Sequence, residues 1–308
     1  MTRRLLFHRD YQGYQGGHGK VRDYIRHAAA HPEWSPEVYL TPGSIDDGNP
    51  FHDVATRARE WAPESAGALF LAGRDWRAWP HDDDAIPVIN LIQHVRHADP
   101  AEAAYAYLGR RAIRVCVSQP VADAIQATGR VQGPVQVIDA ALDLPAIPRP
   151  PMPGKEPRVV VGAHKQPVLG AALAAALTEH GVETCLLDRP LPRPTYLAAL
   201  AAADVAVLLP HTTEGFYLPA LEAMGLGCAT VVPDCVGNRA YIEPGDNALV
   251  PPATLDALLA AVLALDDHAL RRRLQSGGQT TAARFTQARE RAAFHAVLDD
   301  LPALWAAA

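Results

Sequence analysis

The chain has 308 residues, of which 49% are hydrophobic and 20% are charged, with a formal net charge of −6. This composition is typical of globular proteins and excludes a disordered chain, and no apolar run approaches the ~20 residues of a membrane span. The negative charge disfavours duplex nucleic acid as a partner, and the length predicts two domains.

The amino-terminal segment and the cysteines together predict a cytoplasmic protein. The first apolar stretch ends after three residues, whereas a secretory signal needs a longer one. The four cysteines form no C-x-x-C pair and lie in or beside apolar runs, which predicts buried thiols rather than disulfides or zinc ligands. They are Cys116, Cys185, Cys228 and Cys235. We expect a location in the cytoplasm, free or at the inner face of the membrane.

In the first half of the chain, short apolar runs alternate with helical patterns. A glycine-rich loop follows the first predicted strand, and a helix is predicted from about Lys20 to Ala30. Further helices are predicted to start near Pro100 and Pro120. Strands are predicted at residues 5–8, 68–71, 86–92, 113–117 and 135–138.

Six prolines within residues 143–157 predict an extended, stiff connection. We interpret residues 145–157 as a linker between domains, and a long surface loop within one domain is the alternative. After this segment, strands are predicted at residues 158–161, 184–187, 205–209 and 229–232. Helices are predicted near residues 168–180, 195–203, 218–226, 254–265 and 284–298.

Runs of Val, Leu and Ile, spaced by helical patterns of ten to fifteen residues, indicate parallel sheets covered on both faces. Two such units joined by a linker predict an α/β protein with two Rossmann-like domains and a cleft between them. Ligands of such sheets bind beyond the carboxyl ends of the strands, so the loops at those ends are the candidate sites.

The first candidate loop comprises residues 11–20 and contains four glycines, among them Gly16 and Gly17. Glycines let the backbone approach a ligand, and the following helix N-terminus directs amides at an anion. The loop is neither a P-loop nor a G-x-G-x-x-G fingerprint, which disfavours a nicotinamide-dependent dehydrogenase. A flexible surface loop explains it equally well.

The second candidate loop follows the strand that ends near Pro210 and carries Glu214. This carboxylate precedes a helix that begins near Tyr217, so the helix dipole favours its ionised form. Glu222 lies about two turns further on, along a helix that is otherwise apolar. By spacing alone, Glu222 is either a functional carboxylate or a solvated residue of the helix face.

Residues 214–232, EGFYLPALEAMGLGCATVV, resemble the E-x7-E signature of retaining GT-B glycosyltransferases of family 4 type. The segments DCVGNRAYI at 234–242 and PGDNALV at 244–250 extend the resemblance, and Val117-Ser118 and VIDAALD at 137–143 are similar to further parts of the pattern. The resemblance is strong over about residues 195–250. It implies a GT-B fold, with two Rossmann-like domains whose parallel sheets face a central cleft. The implied parts are an acceptor-side domain (1–144), the linker (145–157), a nucleotide-sugar donor domain (158–283) and a helix that crosses back to the first domain (284–308).

The same resemblance implies roles for individual residues. Glu222 matches the glutamate that bonds the ribose hydroxyls, Glu214 matches the one that bonds the transferring sugar, and His94 matches a histidine near that sugar. Gly16 and Gly17 match a loop that faces the phosphates. The implied catalytic residues are Glu214, His94 and Lys165, and the implied donor-binding residues are Gly16, Gly17, His164, Gly215, Phe216, Tyr217, Leu218 and Glu222.

The sequence departs from the family pattern at three positions, one of which is Asp139, where the family prefers asparagine. Ala163 stands where the family has an arginine that clamps the diphosphate together with a lysine. Lys165 is expected to serve instead, assisted by His164 or Arg158. Tyr217 stands where the family commonly has glycine, which is expected to reshape the sugar pocket.

The chemistry of glycosyl transfer agrees with this set of residues. Cleavage of a glycosyl–phosphate bond builds negative charge on the leaving diphosphate, which a cationic, amide-lined site stabilises. Since Glu214 is the only carboxylate expected beside the sugar, a same-face displacement is favoured over a two-carboxylate mechanism. We expect no metal and no other cofactor. Asp82-Asp83-Asp84 precedes its strand at the wrong edge of the sheet, and His94-x-x-His97 lacks further ligands.

We therefore expect a retaining, metal-independent glycosyltransferase of hexosyltransferase type in bacterial glycan biosynthesis. Its acceptor would be a hydroxyl group of a glycan, a lipid-linked glycan or a small molecule. The alternatives are a non-catalytic glycosyltransferase-like subunit that binds sugar or nucleotide, and a GT-B nucleotide-sugar epimerase. Arg110, Arg111 and Arg114 are either contacts for an anionic membrane or lipid-linked acceptor, or a solvated helix face.

Overall fold

The protein was analysed as a computed structural model that describes residues 2–13, 16–53, 56–80, 85–145, 147 and 158–308. The chain divides into two compact units. Unit 1 comprises Met1–Ala140 together with Ala288–Ala308, and unit 2 comprises Ala141–Gln287. Apart from Pro145 and Ile147, the predicted linker lies outside the described residues.

Each unit contains a parallel sheet. The strands in chain order are β1 (Arg3–Arg9), β2 (Trp34–Leu40), β3 (Thr56–Arg57), β4 (Ala68–Ala72), β5 (Val88–Ile92), β6 (Ile113–Cys116), β7 (Val135–Val137), β8 (Val159–Gly162), β9 (Thr184–Leu187), β10 (Val205–Leu208), β11 (Ala229–Val231) and β12 (Ala248–Leu249). Unit 1 has the strand order β3-β2-β1-β4-β5-β6-β7, and unit 2 has the order β12-β11-β10-β8-β9. These parallel sheets confirm the predicted α/β fold class.

The helices follow the same alternation. In chain order they are α1 (Gly16–Ala29), α2 (Gln119–Gln126), α3 (Pro167–Glu179), α4 (Arg193–Ala201), α5 (Leu218–Gly225), α6 (Leu255–Ala264), α7 (His268–Ala282), α8 (Gln287–Asp299) and α9 (Leu301–Ala306). Short 3₁₀ helices lie at Pro63–Ser65, Gly73–Ala78, Val95–Ala98, Ala103–Gly109 and Val236–Asn238. Within the described residues, no helix combines the length and the apolar character needed to span a membrane.

Helices bury the two faces of the unit 2 sheet, as its nearly continuous apolar strands require. Along β8, Val159 and Val161 pack in one cluster with residues of α3 and α6. Val160, between them, packs in a second cluster with residues of α4 and α5. Successive strand residues therefore point to opposite cores. Because helices pack on both faces of the sheet, the strand ends hold the loops at the carboxyl edge in place.

In unit 1, the carboxy-terminal helix α8 forms part of the core. Phe294 is buried against Tyr24 of α1 and Phe70 of β4, with ring centroids 4.8 and 5.9 Å apart respectively. Beside these rings, Lys20 donates to the buried Glu290 carboxylate at 3.0 Å, and His27 lies 2.9 Å from its other oxygen. A buried carboxylate is tolerated here because two cationic or donor groups surround it.

Several predicted elements differ from the observed ones. Strands β2, β3 and β12 and helix α7 were not predicted, and the helix expected near Pro100 is a 3₁₀ helix at Ala103–Gly109. Pro36 interrupts the apolar pattern of β2, and α7 contains three arginines and a glycine pair, so both segments look like loops by composition. Packing in the sheet and against α5 overrides these local signals.

Three of the four predicted buried thiols are buried, namely Cys116, Cys228 and Cys235, and none of the four is in a disulfide. Burial raises the pKa of Cys116 to about 12 and that of Cys235 to about 11. Cys185 is exposed, so the prediction is wrong for this residue. It lies on β9, an edge strand of unit 2, where one side of the strand has no neighbour to cover it.

Candidate functional site

Lys165 and Glu214 meet at the carboxyl edge of the unit 2 sheet. They lie in the loops after β8 and β10, which are adjacent strands, and parallel strands bring such loops together. The Lys165 Nζ forms an ion pair with Glu214 Oε1. The backbone N–H of His211 also donates to this oxygen, at 3.4 Å. The structure thus joins two of the predicted catalytic residues in one half-buried pair.

His164 and Tyr217 flank this pair in different ways. Burial, reinforced by the neighbouring Lys165 ammonium, lowers the pKa of His164 and favours its neutral form. The Tyr217 ring lies beneath Lys165, with Nζ 5.5 Å from the ring centroid. Tyr217 is only 3% exposed and belongs to the apolar core. Its ring therefore packs in the core with the Lys165 ammonium beside it.

The loop that carries Glu214 is held by the segment after β11. The backbone N–H of Tyr217 donates to Gly237 O at 3.1 Å, and the Tyr241 hydroxyl donates to Tyr217 O at 2.5 Å. A Cβ on Gly237 would lie within 2.9 Å of backbone atoms of Glu214, Phe216 and Tyr217, so only glycine allows this approach.

The backbone amides that the resemblance assigns to binding the sugar nucleotide differ in whether they already have an acceptor in the protein. The amides of Tyr217 and Leu218 donate to Gly237 O and Phe216 O. The Phe216 amide has no acceptor among the described residues. It lies just before α5, where the helix dipole favours negative charge. Phe216, with Gly215 beside it, is therefore the position where this loop can present an amide to an anion.

Glu222 forms a second ion pair in unit 2. It lies on α5, is 3% exposed, and its Oε1 accepts from Arg193 Nη1 at 2.5 Å. Arg193 is the first residue of α4, and its Nη2 donates to Asp143 O at 2.9 Å. The solvated interpretation of Glu222 is therefore wrong. Arg193 was missed by sequence reasoning, although an arginine between two prolines at a helix start is a recognisable signal.

The position of the expected diphosphate clamp has no room for a larger side chain. Ala163 is fully buried, and its Cβ occupies the space that a Cβ on Gly170 of α3 would need. Arg158 lies before β8, at the opposite end of the strand from Lys165, and its backbone N–H donates to Asp204 at 3.1 Å. Assistance from Arg158 is therefore excluded by the topology. Lys165 is the cation that the loop after β8 supplies at this edge, with the neutral His164 beside it.

In unit 1, Gly16 and Gly17 form the first turn of α1 rather than a loop. The Gln93 side chain, after β5, donates to Gly17 O at 3.3 Å. His94 follows, and its Nδ1 accepts from the backbone N–H of Arg96 at 3.1 Å. Since Nδ1 accepts, the proton of a neutral His94 is on Nε2. The structure thus places His94 next to a residue that contacts the glycine turn.

His18 was not singled out from the sequence, although it lies within the first candidate loop. Its Nδ1 lies 2.9 Å from Arg9 Nη2, and Arg9 is paired with Asp75 at 2.6 Å. Burial and the Arg9 cation lower the pKa of His18 to about 4. Because a guanidinium can only donate, His18 is neutral with its proton on Nε2. It is a fixed hydrogen-bond donor in the first turn of α1.

The basic residues that were considered for membrane contact are structural. Arg114 lies on β6, is fully buried and donates to Asn90 Oδ1 at 2.6 Å. Arg110 stacks over Trp76, and Arg111 stacks over Trp305. Both interpretations of this cluster, an acceptor contact and a solvated helix face, are therefore wrong for Arg114.

In the part of the chain that the structure describes, no group of three or more His, Cys, Asp or Glu side chains is placed to hold a metal ion. Asp82-Asp83-Asp84 lies outside that part. Burial lowers the pKa of His97 to about 4, and this histidine lies in the 3₁₀ helix after His94. Independence from metal stays a prediction.

Comparison with known proteins gives one family match, over residues 155–268, to the family described as Glycosyl transferases group 1. No curated protein sequence matches the chain. HepE of Anabaena, solved in complex with UDP and glucose, superposes with a TM-score of 0.70 at 15% identity over 97% of this chain and 100% of that one.

Two further solved structures share the architecture. Sucrose-phosphate synthase from Thermosynechococcus elongatus gives a TM-score of 0.68 at 14% identity, over 98% of this chain and 99% of that chain. The lipopolysaccharide outer core galactosyltransferase WaaB, in its apo form, gives 0.66 at 14% identity, over 97% and 99%. The chain therefore has the GT-B fold. The match of residues 155–268 to the family Glycosyl transferases group 1 confirms the predicted enzyme class, a glycosyltransferase.

Proposed function

We propose that the chain is a retaining glycosyltransferase of family 4 type that moves a sugar from a nucleoside-diphosphate sugar to a hydroxyl acceptor without a metal ion. The observation that carries the proposal is the pair of carboxylate–cation contacts in unit 2, Lys165 with Glu214 and Arg193 with Glu222. Both predicted donor carboxylates lie along one loop and helix, and each has a cation beside it. HepE, solved with UDP and glucose, makes UDP the first nucleotide to test.

The proposed role of Lys165 is to neutralise the leaving diphosphate. Its ammonium is paired with Glu214, and the Phe216 amide, two residues after Glu214, has no acceptor among the described residues. Both groups can stabilise charge that grows as the glycosyl–phosphate bond breaks. In the chain itself the ammonium is held by Glu214. A diphosphate that attracts the ammonium would release this carboxylate to accept hydrogen bonds from sugar hydroxyls.

The proposed role of Glu214 is to hold the sugar rather than to attack it. Retaining hydrolases place two carboxyl groups about 5 Å apart, one of them a nucleophile. Among the described residues of this loop, Glu214 is the carboxylate at the edge, and its partner is a lysine. A displacement on one face of the sugar, guided by the leaving phosphate, fits this single carboxylate.

The rival function is a non-catalytic subunit that binds a sugar nucleotide. The absence of an arginine at Ala163 motivates it, because the lost charge weakens the stabilisation of the leaving group. The two functions differ in turnover. A transferase releases nucleoside diphosphate from its sugar nucleotide, whereas a binding subunit does not.

The test is to incubate the chain with UDP-glucose, UDP-galactose and the corresponding GDP and ADP sugars, and to measure released nucleoside diphosphate. A range of simple sugars and alcohols would serve as acceptors. We expect release from one donor, lost in Glu214→Gln while affinity for the free nucleoside diphosphate stays within about twofold, since the part of the donor assigned to Glu214 is the sugar. Turnover in Glu214→Gln equal to that of the unmodified chain would exclude the proposed role of this carboxylate.

A further inference from the structure

Arg193 and Glu222 form a pair whose geometry leaves one carboxylate oxygen available. Glu222 Oε1 accepts from Arg193 Nη1 at 2.5 Å, and only 4% of the Glu222 side chain is exposed. Among the residues that the structure describes, Oε2 has no hydrogen-bond partner. Oε2 is not fully enclosed, so it is open to a ligand that supplies hydrogen-bond donors.

Arg193 is itself fixed by a second contact. Its Nη2 donates to Asp143 O at 2.9 Å, and its backbone begins α4 between Pro192 and Pro194. The guanidinium therefore bridges the chain before the linker and the buried carboxylate. Because its two nitrogens donate to different groups, it contacts Glu222 through one oxygen only, unlike a bidentate arginine–carboxylate pair.

One turn further along α4, Tyr196 contributes a second polar group near the carboxylate. Its hydroxyl is buried and has no hydrogen-bond partner among the described residues. Burial, followed by the negative charge of Glu222, raises the pKa of Tyr196 well above its ordinary value.

We infer that Arg193 is a positioning residue of a ribose subsite, where it holds Glu222 Oε1 so that Oε2 accepts from the vicinal hydroxyls of a ribonucleotide. The inference rests on the proposed function, because it assumes that a nucleoside diphosphate binds at Glu222. The inference predicts that discrimination between ribose and deoxyribose depends on Arg193, a residue of α4 that does not itself contact the sugar. A role for Glu222 alone would not predict this dependence.

Lysine is a poor substitute for this role. An ammonium on a flexible stem can neutralise Glu222, but it cannot span Glu222 and Asp143 O with two fixed nitrogens. Two substitutions of Arg193 can therefore separate the effect of misplacing Glu222 from the effect of removing the positive charge beside it. Arg193→Lys keeps the charge, and Arg193→Met removes it while keeping the length of the side chain.

The experiment is calorimetric titration of the full chain with UDP and 2′-deoxy-UDP, repeated with the GDP and ADP pairs and with dTDP. The variants are Arg193→Met, Arg193→Lys, Glu222→Gln and the double variant Arg193→Met/Glu222→Gln. Arg189→Met is the matched control, since Arg189 is an exposed arginine four residues earlier. Thermal melting followed by circular dichroism confirms that each variant is folded.

We expect the unmodified chain and Arg189→Met to prefer one ribonucleotide over its deoxy form by about tenfold or more, as a hydrogen bond to a charged group allows. Arg193→Met should lose this preference through weaker ribonucleotide binding, and Arg193→Lys should keep a part of it. In the Glu222→Gln background, the Arg193→Met change should have no further effect.

Two results would overturn the inference while leaving the proposed function intact. One is an unchanged ribose preference in a folded Arg193→Met variant. The other is an equal loss of affinity for both nucleotides of a pair, which indicates a structural role. Binding of dTDP alone would also overturn the inference, and if the unmodified chain binds neither dTDP nor any of the three ribonucleotides, the proposed function itself fails.

Discussion

The substitution Gly237→Ala tests how closely the Glu214 loop is held in place. A methyl group on Gly237 would lie 2.8 Å from the Phe216 nitrogen and 2.9 Å from Glu214 O, where ordinary contact begins at 3.4 Å. These are backbone atoms, so the loop must move by about half an ångström because no flexible side chain can yield. Overpacking of this kind costs about 1–3 kcal/mol, which a unit of this size should tolerate.

The functional effect should be larger than the effect on stability. A displacement of about 1 Å near a reacting group can cost about a hundredfold in rate, so we expect kcat/KM for release of nucleoside diphosphate to fall about tenfold. Gly278→Ala is the matched control, because its new methyl group meets only atoms of Met224, nearest the flexible side chain at 3.0 Å. Equal kcat/KM values for the two folded variants would refute the reasoning.

Three further predictions concern charge. Glu290→Gln should lower the free energy of unfolding by about 2–3 kcal/mol, because Lys20 and His27 lose a buried charged partner. Urea denaturation measures this change, and the control Glu33→Gln, which breaks a surface ion pair, should cost under about 1 kcal/mol. Since burial lowers the pKa of His18 and His97 to about 4, the unfolded chain takes up protons below about pH 6.5 that the folded chain does not. The free energy of unfolding should therefore fall from pH 6.5 towards pH 4, and less steeply in His97→Gln. Lys165→Met should reduce kcat for donor cleavage about a hundredfold, against no change in Arg189→Met, as measured by released nucleoside diphosphate.

The sequence was sufficient to predict the fold class and the strands of the core. Strands such as β8 and β10 are short, apolar and flanked by helical patterns, and their burial on both faces makes local and tertiary preferences agree. The strand β2 and the helix α7 could not be predicted, because Pro36 and the glycine pair at 277–278 argue locally for loops. Their structure depends on packing against elements far away in the chain.

For the candidate site, the sequence indicated residue types but not their pairing. Glu214, Glu222 and Lys165 were named from the loop, the helix and the resemblance. The contact of Arg193 with Glu222 joins residues 29 positions apart, and that of Lys165 with Glu214 joins residues 49 apart. The hydrophobic pattern of a helix or strand contains no information about contacts between residues so far apart in the chain. The burial of Ala163 under α3 was equally hidden, because it depends on the close approach of Gly170.

The most direct test of the account is calorimetric titration of the purified chain with UDP, GDP, ADP and dTDP, with and without magnesium, beside Glu222→Ala. The account predicts that one of these nucleotides binds equally well in both conditions and that the variant loses this binding. Binding that survives unchanged in Glu222→Ala, or no binding of any of the four, would contradict the assignment of unit 2 as the nucleotide-sugar site.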